Sequence, residues 1–232
     1  MDIHLTVERL GGAEPLTFSY TRMVNAGYTG RDQEEVRRHI EELAKKGIPG
    51  PDSTPTLYPV VTRGLVTDPS IEVFGHETSG EIEYVLLVER EDRVYVGLGS
   101  DHTDRLLEET DIPRSKQICP NVLCSTVWPL AELRDHWDQL VMRSAVVREG
   151  REIAYQEGPL AGLLDPGGLL EFVGAKLGSV PDGTVIFSGT LATLTGEFVC
   201  GERFAGELED ARLGRRLRLS YEVCPLDYLS VA

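Results

Sequence analysis

The sequence predicts a β-rich α+β fold with few helices, and three observations carry that reading. Short runs of β-branched and aromatic residues recur along the whole chain, each bounded by turn residues. The 24 glycines and 13 prolines are spread through 232 residues without forming a low-complexity block. Helical periodicity is confined to a few segments, and no internal repeat interrupts the pattern.

Taken in order, Ile3–Arg9 and Leu16–Val24 read as half-buried strands. Asp32–Lys46 reads as the clearest helix: Asp32 can cap it, Glu35 stands three residues on, and Val36, Ile40, Leu43 and Ala44 form an apolar stripe before Gly47 and Pro49 end it. Gly47–Pro59 carries four prolines and reads as an extended loop, either a linker or the hinge of a lid. Strands follow at Ile71–Phe74, Ile82–Glu89 and Arg93–Leu98, then a short helix at Leu130–Asp135 and a strand at Leu140–Arg148. A second helix at Gly168–Leu177 turns Leu169, Leu170, Phe172, Val173 and Leu177 toward a core, and Thr184–Ser188 and Leu217–Val223 complete the strands.

Twenty-three Lys and Arg against 38 Asp and Glu give a net charge of −15, which repels phosphate backbones and anionic lipid and argues against a nucleic-acid or membrane partner. The N-terminal segment has no basic run followed by an apolar one, and no stretch approaches the ~18 apolar residues of a membrane span. A soluble, cytoplasmic protein is expected. Cys119, Cys124, Cys200 and Cys224 lie in no Cys-x-x-Cys pattern, so they are expected to be reduced and mostly buried.

The most informative segment is Gly80–Arg105. Glu81 and Glu83 are two apart in a strand, so their carboxylates leave one face while Tyr84, Leu86 and Val88 leave the other. After a turn at Glu91–Asp92 the partner strand returns and ends at Asp101, bringing a third carboxylate back to the first two. Three oxygen ligands with neither cysteine nor a histidine pair suit a hard divalent cation: Mg²⁺ first, with Mn²⁺ and Ca²⁺ as alternatives. A solvated strand with basic cross-strand partners is the plainer alternative for a Glu-x-Glu pair. His102 reads as an outer contact at most, His136-Trp137-Asp138 as core packing with a surface histidine, and Arg212–Arg218 as an exposed hairpin.

With these residues in view the chain resembles the fumarylacetoacetate hydrolase superfamily, and more closely an uncharacterised bacterial branch related to it. Glu81-Ile82-Glu83 followed by Asp101-His102-Thr103-Asp104-Arg105 resembles its metal motif, Arg114-Ser115-Lys116 its active-site lysine segment, and Val146–Gln156 its hairpin. Pro181–Thr190 is similar to its Pro-Gly-Asp-x-Ile-x-Thr-Gly-Thr element, although Leu191-Ala192-Thr193 replaces the proline and glycine that usually follow. The likeness spans about Val24 to Val223 in the family's order. It implies mixed β-sheets rolled around a central pocket, a metal held by Glu81, Glu83 and Asp101, and a homodimer. It also implies that residues 1–60 form N-terminal strands with a lid-like helix and loop while residues 61–232 form the catalytic domain, or that the whole is one continuous domain.

The resemblance further implies a small-molecule substrate, a 2-oxo acid or 1,3-dicarbonyl compound, processed by C–C bond hydrolysis or by enolate-forming decarboxylation or tautomerisation. Lys116 would hold or protonate the enolate, and Tyr28, Arg31, Arg105 and Thr190 would bind substrate. Hydrolysis adds a water-activating His-x-x-Glu. Alignment on Tyr28 puts Arg31 and Glu34 at those positions, and an arginine is no general base near neutral pH. His39 and Glu42 supply a true His-x-x-Glu one helical stretch later, with both side chains on one face. Both assignments stand at this point. A non-catalytic protein binding a cation or small molecule on the same scaffold is the reading from another class.

Overall fold

The computed structural model describes residues 1–45 and 53–229, with the side chains of residues 35, 39 and 42–45 outside that description. The chain opens with the hairpin β1 (Asp2–Arg9) and β2 (Gly12–Ser19), then turns at the buried Tyr20 into β3 (Arg22–Gly27). Alternation alone joins β2 and β3 into one strand. The structure separates them because the Thr21 N–H is taken by the Gly183 carbonyl and β3 pairs elsewhere in the sheet.

Helix α1 (Gln33–Lys45) starts where Asp32 accepts from the Glu34 N–H at 3.0 Å. Within the segment read as a loop, β4 (Thr56–Val60) is a strand, and Pro59 is tolerated there because β4 lies at the end of the sheet order. Short strands β5 (Leu65–Val66), β6 (Ser70–Val73) and β7 (Thr78–Ser79) precede the long antiparallel hairpin β8 (Ile82–Arg90) and β9 (Arg93–Asp101). Then come β10 (Thr103–Asp104), α2 (Arg105–Glu108), α3 (Ile112–Ile118), β11 (Asn121–Leu123) and β12 (Thr126–Pro129). Two 3-10 turns, Leu130–Glu132 and Arg134–Gln139, stand where a short helix was expected. The hairpin β13 (Val141–Arg148) and β14 (Arg151–Pro159) leads to α4 (Pro166–Leu177), which begins two residues before the expected start. Its start is set by Pro166 in the first turn and by Asp165 accepting from the Gly168 N–H at 2.8 Å. Strands β15 (Thr184–Phe187), β16 (Arg203–Asp210) and β17 (Arg215–Pro225) close the chain.

The largest sheet runs β2-β1-β12-β9-β8-β15-β3-β4, with β11 and β5 joined beside β9, and a second sheet runs β14-β13-β16-β17-β6. Parallel and antiparallel pairs occur in both. Strand β8 is buried on both faces, which is why its sequence is an almost continuous apolar run. Ile82, Tyr84, Leu86 and Val88 face a core shared with the second sheet through Met142, Phe204, Leu208 and Tyr221. Val85 and Leu87 face another core, to which the opposite ends of the large sheet contribute Ile3, Phe18, Met23 and Val60, so this sheet rolls about its own interior.

Three further readings of the sequence need correction. His136 is buried, not at the surface, with its Nε2 3.0 Å from Asp210 Oδ1. Arg215, read as part of an exposed hairpin, is also buried: it donates to Asp210 and Glu132 and stacks 4.5 Å from the Trp128 ring. All four cysteines are free, but only Cys119 and Cys124 are buried, while Cys224 is exposed.

Candidate metal centre

The β8–β9 hairpin builds the centre. Just before β8, Glu81 exchanges both backbone hydrogen bonds with Asp101, each at 3.1 Å, so the two side chains leave the sheet on the same face. Glu83, two residues on and opposite Gly99, shares that face. One oxygen of each carboxylate lies within 4.8 Å of the others. Three carboxylates at this separation repel one another unless positive charge lies among them.

Part of that charge is supplied by α3. Lys116 Nζ sits 2.5 Å from Asp101 Oδ2 and 3.6 Å from Glu81 Oε2. Burial opposes the Lys116 charge, but Asp101, Glu81 and Glu108 outweigh it, so the ammonium is held well above its ordinary range and stays protonated. From α2, Arg105 donates to Glu81 at 3.4 Å, to Glu108 at 2.7 Å and to Ser79 Oγ at 2.7 Å, and its guanidinium packs 3.8 Å from the Phe198 ring. Burial raises the Glu81 carboxyl, yet Arg105 and Lys116 prevail and hold it below its ordinary range. Glu83 differs. It is 2 % exposed and accepts from the Gly189 N–H at 2.9 Å; burial, with Asp101 and Glu81 nearby, pushes its carboxyl well above the usual range. One carboxylate is thus left short of positive charge in an all-oxygen set, and that donor chemistry fits a hard divalent cation.

Gly189 permits this arrangement. Its φ is +85°, and a Cβ there would meet Thr29 Oγ1 at 2.4 Å and the Ala26 carbonyl at 3.0 Å. Thr190 Oγ1 donates to the Ile82 carbonyl and accepts from Gln156 Nε2, both at 2.7 Å, so its hydroxyl fixes the entry to β8. Tyr28 has a φ of +57°, unusual for a residue with a Cβ. Burial raises the phenols of Tyr28 and Tyr58, and the Lys116 charge pulls both the other way.

The structure therefore gathers Glu81, Glu83, Asp101, Lys116 and Arg105. It does not bring the Arg31 guanidinium in as a free clamp: Arg31 makes two bonds to Asp138, at 2.8 and 2.7 Å, and one to the Leu163 carbonyl. His102 turns from the carboxylates to Tyr221 and Thr78, and burial drops its pKa to about 3. The side chains of His39 and Glu42 lie outside the described residues. Sequence reasoning missed Glu108, although its i,i+3 spacing from Arg105 was a usable signal. It also missed Tyr58, hidden in the proline-rich segment.

The family described as "Protein of unknown function (DUF2848)" matches residues 26–221. The chain belongs to the DUF2848 family. A search of curated proteins gives no match. Among solved structures this DUF2848 chain is similar to yeast ynq8, a fumarylacetoacetate hydrolase family protein, at 16% identity and TM-score 0.63, covering 92% of this chain and 96% of that one. It is similar to 2-keto-3-deoxy-D-arabinonate dehydratase complexed with magnesium and 2,5-dioxopentanoate, at 16% identity and TM-score 0.62 over 91% and 76% of the two chains. A third likeness is to 4-oxalocrotonate decarboxylase from Pseudomonas putida G7 complexed with magnesium and adipate, at 15% identity and TM-score 0.56 over 86% and 76%. The DUF2848 chain thus has the fumarylacetoacetate hydrolase fold, as its motifs imply. Among its described residues no helix is long and apolar enough to cross a membrane.

Proposed function

We propose that the protein is a divalent-cation-dependent enzyme acting on a 2-oxo acid or 1,3-dicarbonyl compound through an enolate, with Glu81, Glu83 and Asp101 as the cation's ligands and Mg²⁺ as the first choice. One observation carries the reading: three carboxylates converge beside a lysine, and one of them, Glu83, has no ion pair of its own among the described residues. Support comes from the structural neighbours complexed with magnesium together with an oxo compound or a dicarboxylic acid. Bound there, the cation would supply Lewis-acid stabilisation of negative charge developing on the substrate.

The chain's own residues have separate tasks. Lys116, reaching Asp101 and Glu81 from α3, serves as hydrogen-bond donor to the enolate oxygen or as proton donor to the carbanion carbon. Arg105 acts as a positioning residue, since its donors are engaged by Glu81, Glu108 and Ser79. Thr190 likewise positions the start of β8. Tyr28 would meet the substrate beside Lys116. This set favours the enolate-forming branch, decarboxylation or tautomerisation; hydrolysis adds a water-activating base, for which the sequence offers His39 oriented by Glu42.

The test is a screen of acylpyruvates, oxaloacetate and 1,3-diketo acids with Mg²⁺ or Mn²⁺, run beside Lys116→Met, Glu83→Gln and His39→Gln. Cation-dependent turnover lost in the first two variants is expected. If the reaction is hydrolytic, His39→Gln should cost roughly 10²-fold in kcat. Retained cation binding with no turnover on any substrate would overturn the enzyme reading in favour of a binding protein.

A further inference from the structure

Asn25 and Asn121 are fully buried, and neither the amide nitrogen nor the carbonyl oxygen of either has a hydrogen-bond partner. Buried polar groups are nearly always paired, so two orphaned amides call for an explanation. Their positions supply one. Asn121, on β11, stands directly opposite Asp101 on β9 and shares its face. Asn25, on β3, stands beside Phe187 on β15, which is opposite Val85, two residues along the same face of β8 from Glu83. Both amides therefore lie on the sheet face that carries the carboxylates, Asn121 next to Asp101 and Asn25 two strands from β8, in line with Val85.

We propose that Asn25 and Asn121 are substrate-binding residues that recognise uncharged oxygen groups, hydroxyl or keto, on a monocarboxylic 2-oxo acid. This rests on the function proposed above and narrows its substrate class. An amide both donates and accepts, which matches a hydroxyl; a carboxylate only accepts and is matched by a guanidinium or ammonium. Among the described residues the buried cations are Arg105, Lys116 and Arg215, and each is already ion-paired. The formal charge points the same way. Glu81, Glu83, Asp101 and Glu108 face Lys116 and Arg105, a deficit that one divalent cation fills. A monocarboxylate then leaves a single uncompensated negative charge, whereas a dicarboxylate leaves two in a buried site.

The experiment is calorimetric titration of the Mg²⁺-saturated protein with 4-hydroxy-2-oxobutanoate, 2-oxobutanoate and 2-oxoglutarate, in the parent, Asn25→Leu and Asn121→Leu. The parent should bind the hydroxy acid about tenfold or more tighter than 2-oxobutanoate, because only the hydroxyl pairs an amide that is otherwise left unpaired in both the free and the bound protein. At least one leucine variant should bring the two affinities within about twofold while Mg²⁺ and 2-oxobutanoate affinities hold, with the melting temperature unchanged or raised because an unpaired buried amide has been removed. A variant that fails to fold is replaced by its alanine counterpart. An unchanged preference in both variants would overturn the proposal, as would lost Mg²⁺ binding with a lowered melting temperature, which marks the amides as structural. Preference of the parent for 2-oxoglutarate would overturn the substrate class. Failure of the parent to bind all three acids while still binding Mg²⁺ would overturn the proposed function itself, and this inference with it.

Discussion

Glu83→Gln separates the cation's contribution from the chain's own stability. Glu83 is 2 % exposed, accepts one hydrogen bond from Gly189, and is driven toward its protonated form by burial with Asp101 and Glu81 nearby. Glutamine has the same shape and keeps a carbonyl oxygen for the Gly189 N–H, so without cation the variant should melt within about 1 °C of the parent, or above it. With cation the two diverge. At a free concentration one hundred times Kd, binding stabilises the parent by about 2.7 kcal/mol. For a chain of 232 residues with an unfolding entropy of about 2 cal/mol/K per residue, that is a rise of about 5–6 °C. The variant, short of one ligand, should show little of it. Differential scanning calorimetry with chelator and with titrated Mg²⁺ or Mn²⁺ reads both numbers. Equal melting shifts in parent and variant would refute the assignment of Glu83 as a ligand.

Three further outcomes follow from the same geometry. Lys116→Met strips Asp101, 1 % exposed, of its ammonium and should cost about 3–5 kcal/mol in chelator and clearly less in Mg²⁺, read from urea midpoints; equal losses would contradict the shared role of lysine and cation. Gly189→Ala forces a Cβ against Thr29 and the Ala26 carbonyl at a φ of +85° and should cost about 2 kcal/mol or more in denaturant unfolding. His102 is held neutral, its pKa lowered by burial to about 3. Below the unfolded value of about 6.5 the unfolded chain therefore takes up a proton that the native state refuses, so stability falls across the window from 6.5 to 3. From pH 7 to 5 the loss from this group is about 2 kcal/mol, and His102→Gln should flatten the profile by that amount.

What the sequence revealed about the site follows from how local each signal is. Glu81, Glu83 and Asp101 were legible because a two-residue period and a tight hairpin fix which face and which end of the sheet they occupy. Lys116 came only through resemblance, since nothing in its neighbourhood announces that α3 will fold back onto Asp101. The same limit hid His136 and Arg215, whose meeting point, Asp210, is brought to them by tertiary pairing. Pairing also divided β2 from β3, which alternation joins, and made an edge strand of a proline-rich stretch that reads as loop. Asn25 and Asn121 sit in strands where a lone asparagine resembles a turn residue, and only the finished sheet shows what lies beside them.

The β8–β9 hairpin holds its one irregularity in pairing between Val88 and Arg90, at the turn end, while pairing runs unbroken from Val88 to the Glu81–Asp101 exchange. Added or lost residues at Glu91–Asp92 can be absorbed by that flaw without disturbing the carboxylates. A single insertion between Glu83 and Leu87, or between Val94 and Ser100, has no such outlet and would send Glu81 and Glu83, or Asp101, to the opposite face of the sheet. Length change is thus permitted at one end of the hairpin and forbidden at the other. In a library of single-residue insertions, cation-dependent stabilisation should survive at the turn and vanish along the strands.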